Sequence, residues 1–434
     1  MDPGLLVGKL MNVRINIGNF IYSASTNYSN TLCYRKISFT SNSQFPFLTN
    51  LEQHSIDFSK LSELVPKLDE YGFCIIKNVL TFDEIFDAKK DIGDDLLELL
   101  DPNLILSDIN LSNEFQLYKN MSRDKIIDEW KISDSHFIDK HCLPQGRFVW
   151  KLRLSSKIRS IFASIYGSDD LVGGLDSIFY NAGMGNKNHV GNWGHADQNT
   201  KRDNCESWSC YQSVIAIFDL KDENSETTVI WPKSHVSVYD TLIEASNPEF
   251  SHYIELSLLN DAQFSNPVNG RYLNYKYMKE AKRIPLNAGD MIIWNSKCIH
   301  QGFNNNGRRL AMPICYEPAC RRTQKAFITK LRLAVLGYSS THWASIPNRH
   351  GKYLEHIENH IEGRKYCYIN SEGVRIDFPI KNNLVPFIIN DENREEYSKA
   401  FNLAQLLDND NSSSNEDILN QLIPMLKPQI LHYL

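Results

Sequence analysis

Apolar residues recur at helical spacing from Leu61 to Leu68 and then close up into a short run from Tyr71 to Ile76, which predicts a helix followed by a strand. Thr81, with Glu84 three residues later, is a capping-box signal; it opens a predicted helix that runs to about Leu100. Ser155 to Tyr166 is a further predicted helix. Leu171 to Tyr180, Cys210 to Leu220, Thr227 to Trp231 and Met291 to Trp294 read as strands, with a charged hairpin turn at residues 221–226. Asn304, Asn305, Asn306 and Gly307 give a strong hairpin signal, and the return strand runs from Arg308 to Tyr316.

Polar stretches interrupt this pattern. Residues 103–145 are mixed, with a short helical stretch from Asp124 to Lys131, and residues 239–278 are rich in Asn, Ser and aromatics. Both read as insertions; the second is expected either as a lid or as a packed surface excursion. Gly183, Gly185 and Gly191 mark a loop, and no GxGxxG or phosphate-loop motif accompanies them. Arg321, Arg322, Lys325, Lys330 and Arg332 form a basic stretch in a predicted helix, expected mainly as a solvated face. Residues 407–417 form an Asp/Asn/Ser linker, and Ile418 to Leu431 an amphipathic terminal helix that Pro424 and Pro428 shorten or kink. The expected division is an N-terminal extension at 1–50, a central domain at 51–350 and a C-terminal extension at 351–434.

Composition narrows the class. Hydrophobic residues make up 42% of the 434, enough for a sizeable core. The net charge of -6 argues against a broadly basic nucleic-acid binder. Nine cysteines, odd in number and without a CxxC pair, read as reduced thiols of an intracellular, cytoplasmic protein. Cys205 and Cys210 lie near His195 but lack a standard zinc spacing. No apolar run is long enough for a membrane span. Residues 1–45 are hydroxylated and acid-poor, a composition shared by mitochondrial transit segments and disordered extensions; the few arginines favour the latter.

The candidate chemistry lies in His195, Asp197 and the distant His300. Alternate residues on a strand point to the same side, so His195 and Asp197 can bind one ion together, with His300 arriving from a neighbouring strand. Two imidazoles and a carboxylate suit a metal with open positions, the pattern of non-haem Fe(II) oxygenases. His300 follows the Met291–Trp294 run, and the hairpin after it carries Arg308 and Arg309 back toward it. One of the two arginines is expected to point inward and the other to solvent. An inward Arg offers a planar fork for a carboxylate. Gln198, Asn295 and Ser296 are close enough in sequence to support the ligands.

These residues resemble the phytanoyl-CoA dioxygenase-like branch of the Fe(II)/2-oxoglutarate dioxygenases. The resemblance rests on the segment from Leu68 to Thr81, on Trp193 to Gln198, and on Trp231 to His235, where Lys233 replaces a turn glycine. Ala288 to Asp290, His300 to Gly302 and the stretch ending in His342 and Trp343 extend it, so that it spans about residues 55 to 345. It implies a mainly β protein with flanking helices (α+β), its core a double-stranded β-helix, also called a jelly roll or cupin-like fold. It further implies Fe(II) held by His195, Asp197 and His300, with 2-oxoglutarate and O2 as co-substrates and succinate and CO2 as products. Arg309 fits the family's position for the far carboxylate of 2-oxoglutarate better than Arg308. Related halogenases carry a small residue in place of Asp197, so the carboxylate favours hydroxylation. The expected substrate is a small molecule, acyl or lipid-like. The same chemistry on a nucleobase or protein side chain, and a non-catalytic metal-binding β-helix, stand as alternatives.

Overall fold

The computed structural model describes residues 13–17, 20–24, 45–99, 137–138, 142–182, 194–198, 200, 209–245, 254–255, 280–303, 307–345, 366–369, 375–378, 384–407 and 415–434. The strands in chain order are β1 (Val13–Ile17), β2 (Phe20–Ala24), β3 (Ser55–Asp57), β4 (Phe73–Lys77), β5 (Phe137–Ile138) and β6 (Leu171–Gly173). Next come β7 (Ile178–Ala182), β8 (His195–Ala196), β9 (Tyr211–Ala216), β10 (Thr227–Ile230), β11 (Ile254–Glu255) and β12 (Lys282–Arg283). β13 (Met291–Asn295), β14 (His300–Phe303), β15 (Arg308–Pro313), β16 (Tyr316–Pro318), β17 (Tyr366–Ile369) and β18 (Arg375–Phe378) complete the set.

Two sheets dominate. One has seven strands in the order β3-β4-β13-β9-β15-β7-β5; the other has five, β11-β8-β14-β10-β12. All pairings within them are antiparallel except β3–β4. Together with the helices this is an α+β architecture. Register and the two-residue period of strands divide each sheet into two faces. Trp294 pairs with Gln212, Val214 with Pro313, Ala216 with Ala311, and Arg309 with Asn181, so these residues share one face of the larger sheet. Gln212 hydrogen-bonds Asp197, which follows β8 of the smaller sheet, so this face looks toward that sheet. The opposite face carries Cys74, Ile76, Ile215, Ile293, Leu310 and Met312. These belong to one apolar cluster with helix residues Ile92, Leu96, Phe148, Leu152, Phe162 and Leu331. A second cluster, including Ala196, Val229, Trp231 and Ile299, covers the outer side of the smaller sheet.

The boundaries shift from expectation for local reasons. The first α-helix is Leu64–Tyr71, preceded by a 3-10 turn at Phe58–Glu63. Gly72, at φ 81°, caps it in the left-handed conformation, so the strand opens at Phe73 rather than Tyr71. Thr81 and Glu84 form the expected box: Glu84 Oε2 accepts from the Thr81 amide at 2.8 Å and Thr81 Oγ1 from the Glu84 amide at 3.3 Å. The strand expected from Leu171 to Tyr180 is two, β6 and β7, separated by residues 174–177. Part of the N-terminal extension forms the β1–β2 hairpin. The polar insertion at 103–145 lies mostly outside the described residues, as do the glycine loop, Cys205 and residues 408–414 of the linker. Of the 239–278 insertion, Tyr239–Ala245 is helical, and β11 pairs with β8 so that Glu255 stands opposite His195. The terminal segment breaks at its prolines into the helices Glu416–Leu422 and Pro428–Tyr433, and Ile430 and Tyr433 are buried in the main core. No helix of the described residues is long and apolar enough to cross a membrane.

Candidate metal centre

His300 and His195 are cross-strand partners in β14 and β8. Directly opposed residues on one face of an antiparallel pair bring their side chains together, and here the ring centroids stand 4.5 Å apart. Asp197 reaches both: Oδ1 lies 3.5 Å from His195 Nε2 and Oδ2 3.3 Å from His300 Nε2. The ligand atoms of the three residues lie within 4.8 Å of one another, and all three residues are buried. Three converging N and O donors at this spacing fit a single transition-metal ion with positions left open.

The surroundings fix the donors. The Asp197 and Gln198 amides donate to the Ser296 carbonyl at 3.0 and 3.2 Å, which ties the ligand strand to the turn after β13. Gln212 Nε2 donates to Asp197 Oδ2 at 2.8 Å and to Ser296 Oγ at 3.1 Å. His300 Nδ1 is 3.0 Å from the Cys298 carbonyl, an acceptor, so Nδ1 donates there and Nε2 is the ring nitrogen that faces Asp197. Trp294 packs at 4.9 Å from the His300 ring. Burial alone would raise the Asp197 carboxyl, but His195, His342 and His300 outweigh it and hold the carboxyl well below the usual carboxylate range.

The two arginines divide as the strand period requires. Arg308 is exposed, over the Phe218 ring at 4.5 Å, while Arg309 is 2% exposed and stacks on Phe179 at 4.0 Å. Arg309 shares the inner face with Gln212 and lies toward the far end of that face. Its Nε is buried with no hydrogen-bond acceptor among the described residues. Burial lowers its pKa to about 10, with Glu226 opposing. Glu226 is itself buried and accepts from Asn181 Nδ2 at 2.8 Å.

Of the residues expected to support the ligands, Ser296 accepts the Asp197 amide through its carbonyl and Gln212 through its hydroxyl. Gln198 instead accepts from the Cys210 amide through Oε1 at 3.1 Å, and Asn295 Oδ1 accepts from the Lys297 amide at 3.0 Å, so both brace loops beside the centre. Two neighbours were not expected from the sequence. Gln212 and Ser213 are the polar pair in the strand Tyr211–Ala216, and nothing local marks Gln212 as the one that meets Asp197. His342 brings Nδ1 to 3.8 Å from Asp197 Oδ2 from a segment with no periodicity to place it. Lys330, expected on a solvated helix face, is buried; its Nζ donates to the carbonyls of Gly173 at 3.0 Å and Trp343 at 2.8 Å.

The sequence model of the phytanoyl-CoA dioxygenase family (PhyH) matches residues 68–311. Ava biosynthesis cluster protein O of Aspergillus versicolor is 23% identical over 225 residues, 49% of this chain and 66% of that protein. The chain thus spans just under two thirds of that relative's length. Among solved structures, the non-haem alpha-ketoglutarate-dependent carbocyclase SnoK from nogalamycin biosynthesis is similar with a TM-score of 0.38 and 16% identity, over 60% of this chain and 86% of that one. EctD from S. alaskensis, solved with 2-oxoglutarate and 5-hydroxyectoine, gives a TM-score of 0.38 and 13% identity over 65% and 85%.

Proposed function

The chain belongs to the phytanoyl-CoA dioxygenase family, and on that premise we propose that it is a non-haem Fe(II)- and 2-oxoglutarate-dependent dioxygenase that hydroxylates a small molecule of acyl or lipid-like character. The observation that carries this reading is the buried convergence of His195, Asp197 and His300, with Arg309 on the inner face of the facing sheet. The two sheets are read as the halves of a double-stranded β-helix. His195, Asp197 and His300 would hold Fe(II). Iron, 2-oxoglutarate and O2 bound there supply the oxidation, with succinate and CO2 as co-products.

The chain's own residues prepare the centre. The Cys298 carbonyl engages His300 Nδ1, which orients the ring so that Nε2 is the nitrogen that would face the ion. Gln212 orients the Asp197 carboxylate, and the Asp197 side chain fills the place a halide would need, which favours hydroxylation. Arg309 offers a desolvated guanidinium, and a buried cation retained without an acceptor at Nε suits a carboxylate ligand. Trp294 and the apolar inner residues Val214 and Ile292 keep the reacting region dry.

The test is succinate formation from 2-oxoglutarate in the presence of Fe(II) and O2, screened across acyl, lipid-like and other small-molecule candidates. Hydroxylated product formed together with succinate supports the reading. Failure to bind Fe(II) and 2-oxoglutarate together would refute it.

A further inference from the structure

The family match ends at residue 311, yet a segment beyond it reaches the metal centre. Residues 340–345 form a strap against residues 173–175. The Ser340 amide donates to the Leu175 carbonyl at 2.7 Å, and Ser340 Oγ accepts from the Leu175 amide at 3.3 Å. Buried Lys330 joins the carbonyls of Gly173 and Trp343. Buried Glu317 accepts, through Oε2, the amides of Ala344 and Ser345 at 2.7 and 2.9 Å and the Ser345 hydroxyl at 2.9 Å. The strap also lies so close to Gly174 that a Cβ there would stand 2.8 Å from the His342 carbonyl oxygen. A segment held by two buried ionic side chains and a glycine contact has its place set firmly. What it delivers is the His342 ring, 6% exposed, to the carboxylate of Asp197.

The two side chains from outside the ligand set approach the same oxygen. Gln212 Nε2 and His342 Nδ1 both face Oδ2, at 2.8 and 3.8 Å, beside His300 Nε2 at 3.3 Å, whereas Oδ1 faces His195 alone of these four residues. We propose that His342 is a positioning residue of the metal centre: Gln212 hydrogen-bonds Oδ2 and the His342 ring stands against the same oxygen, so that Asp197 offers the ion chiefly Oδ1. A carboxylate free to rotate can chelate with both oxygens and occupy a position that a bidentate co-substrate needs. His342 therefore preserves an open position for 2-oxoglutarate rather than binding the ion itself. This inference rests on the Fe(II)/2-oxoglutarate reading above.

The experiment uses the full chain under anaerobic conditions, titrated with Fe(II) and then 2-oxoglutarate, following the visible charge-transfer band of the complex. His342→Phe keeps a ring against Trp343 but removes the polar ring nitrogen beside Oδ2. Its band should move, and its 2-oxoglutarate Kd should rise by about tenfold, a loss typical of an altered outer-shell partner. His342→Asn, which places an amide nitrogen near the former Nδ1, should bring both back toward wild type. Thermal melting of each variant separates this from damage to the strap, since a purely structural loss would not be restored by Asn. A His342→Phe protein with the wild-type band and the wild-type Kd would overturn the inference and leave the iron reading intact. A wild-type protein that gives no band would overturn the iron reading and this inference with it.

Discussion

His195 and His300 stand directly opposite each other across the β8–β14 pairing, their ring centroids 4.5 Å apart. About a hundred residues separate them in the chain, so only the sheet register makes them neighbours. A one-residue slip of β14 would turn His300 to the outer face, against the Val229 and Trp231 cluster. The metal centre is therefore as well defined as the sheet that holds it.

Arg309 and Glu226 are buried near each other on facing inner surfaces, and their charges act in opposite senses on a bound carboxylate. Arg309→Ala should weaken 2-oxoglutarate binding by on the order of 2 kcal/mol, roughly 30-fold in Kd, with Fe(II) affinity unchanged. Glu226→Gln keeps an oxygen for Asn181 and removes the negative charge, so it should tighten 2-oxoglutarate binding. Titration by calorimetry under anaerobic conditions reads both. Equal co-substrate affinity in wild type and Arg309→Ala would remove Arg309 from the site.

Two buried groups give the stability a characteristic pH dependence. Burial raises the Asp176 pKa from 3.8 to about 7, and burial lowers the Lys330 pKa from 10.5 to about 7. Between pH 3.8 and 7 the folded chain holds the Asp176 proton that the unfolded chain has lost, so this group's contribution to stability falls as pH rises. Between pH 7 and 10.5 the unfolded chain holds the Lys330 proton that the folded chain has lost, so the contribution rises with pH. In melting experiments, Asp176→Asn should gain on wild type from pH 4 to 7. Lys330→Met should lose ground to wild type from pH 7 to 10. Parallel pH profiles for wild type and both variants would show that these groups do not titrate in this way.

Thr81 caps the helix Phe82–Leu99 through its reciprocal bonds with Glu84. Thr81→Ala should cost about 1 kcal/mol in denaturant unfolding, and Thr81→Ser should recover most of it. Because the cap lies away from the ligand residues, Fe(II) binding should not change. A Thr81→Ala midpoint equal to wild type would show that water serves the orphan amides equally well.

Features encoded within a few residues were legible in the sequence. The Thr81 cap, the break of the terminal segment at Pro424 and Pro428, and the inward and outward split of Arg309 and Arg308 follow from local chemistry and strand period. His195, Asp197 and His300 were legible because a His-x-Asp pair and a later His just past an apolar run are metal-binding residue types in a telling context, although β8 ends at Ala196 and Asp197 lies just beyond it. Gln212 and His342 were not, because their part at the centre depends on contacts between distant segments. Lys330 misled for a similar reason. Its neighbours form a basic run that suggests a solvated face, but the carbonyls of Gly173 and Trp343, which retain it in the core, come from elsewhere in the chain.

The most direct test of the metal centre is the anaerobic absorption spectrum of the protein with Fe(II) and 2-oxoglutarate. Wild type should show a weak visible charge-transfer band, and His195→Ala and His300→Ala should each lack it while melting as folded proteins. A band that persists unchanged in His300→Ala would contradict the assignment of His195, Asp197 and His300 as the ligands.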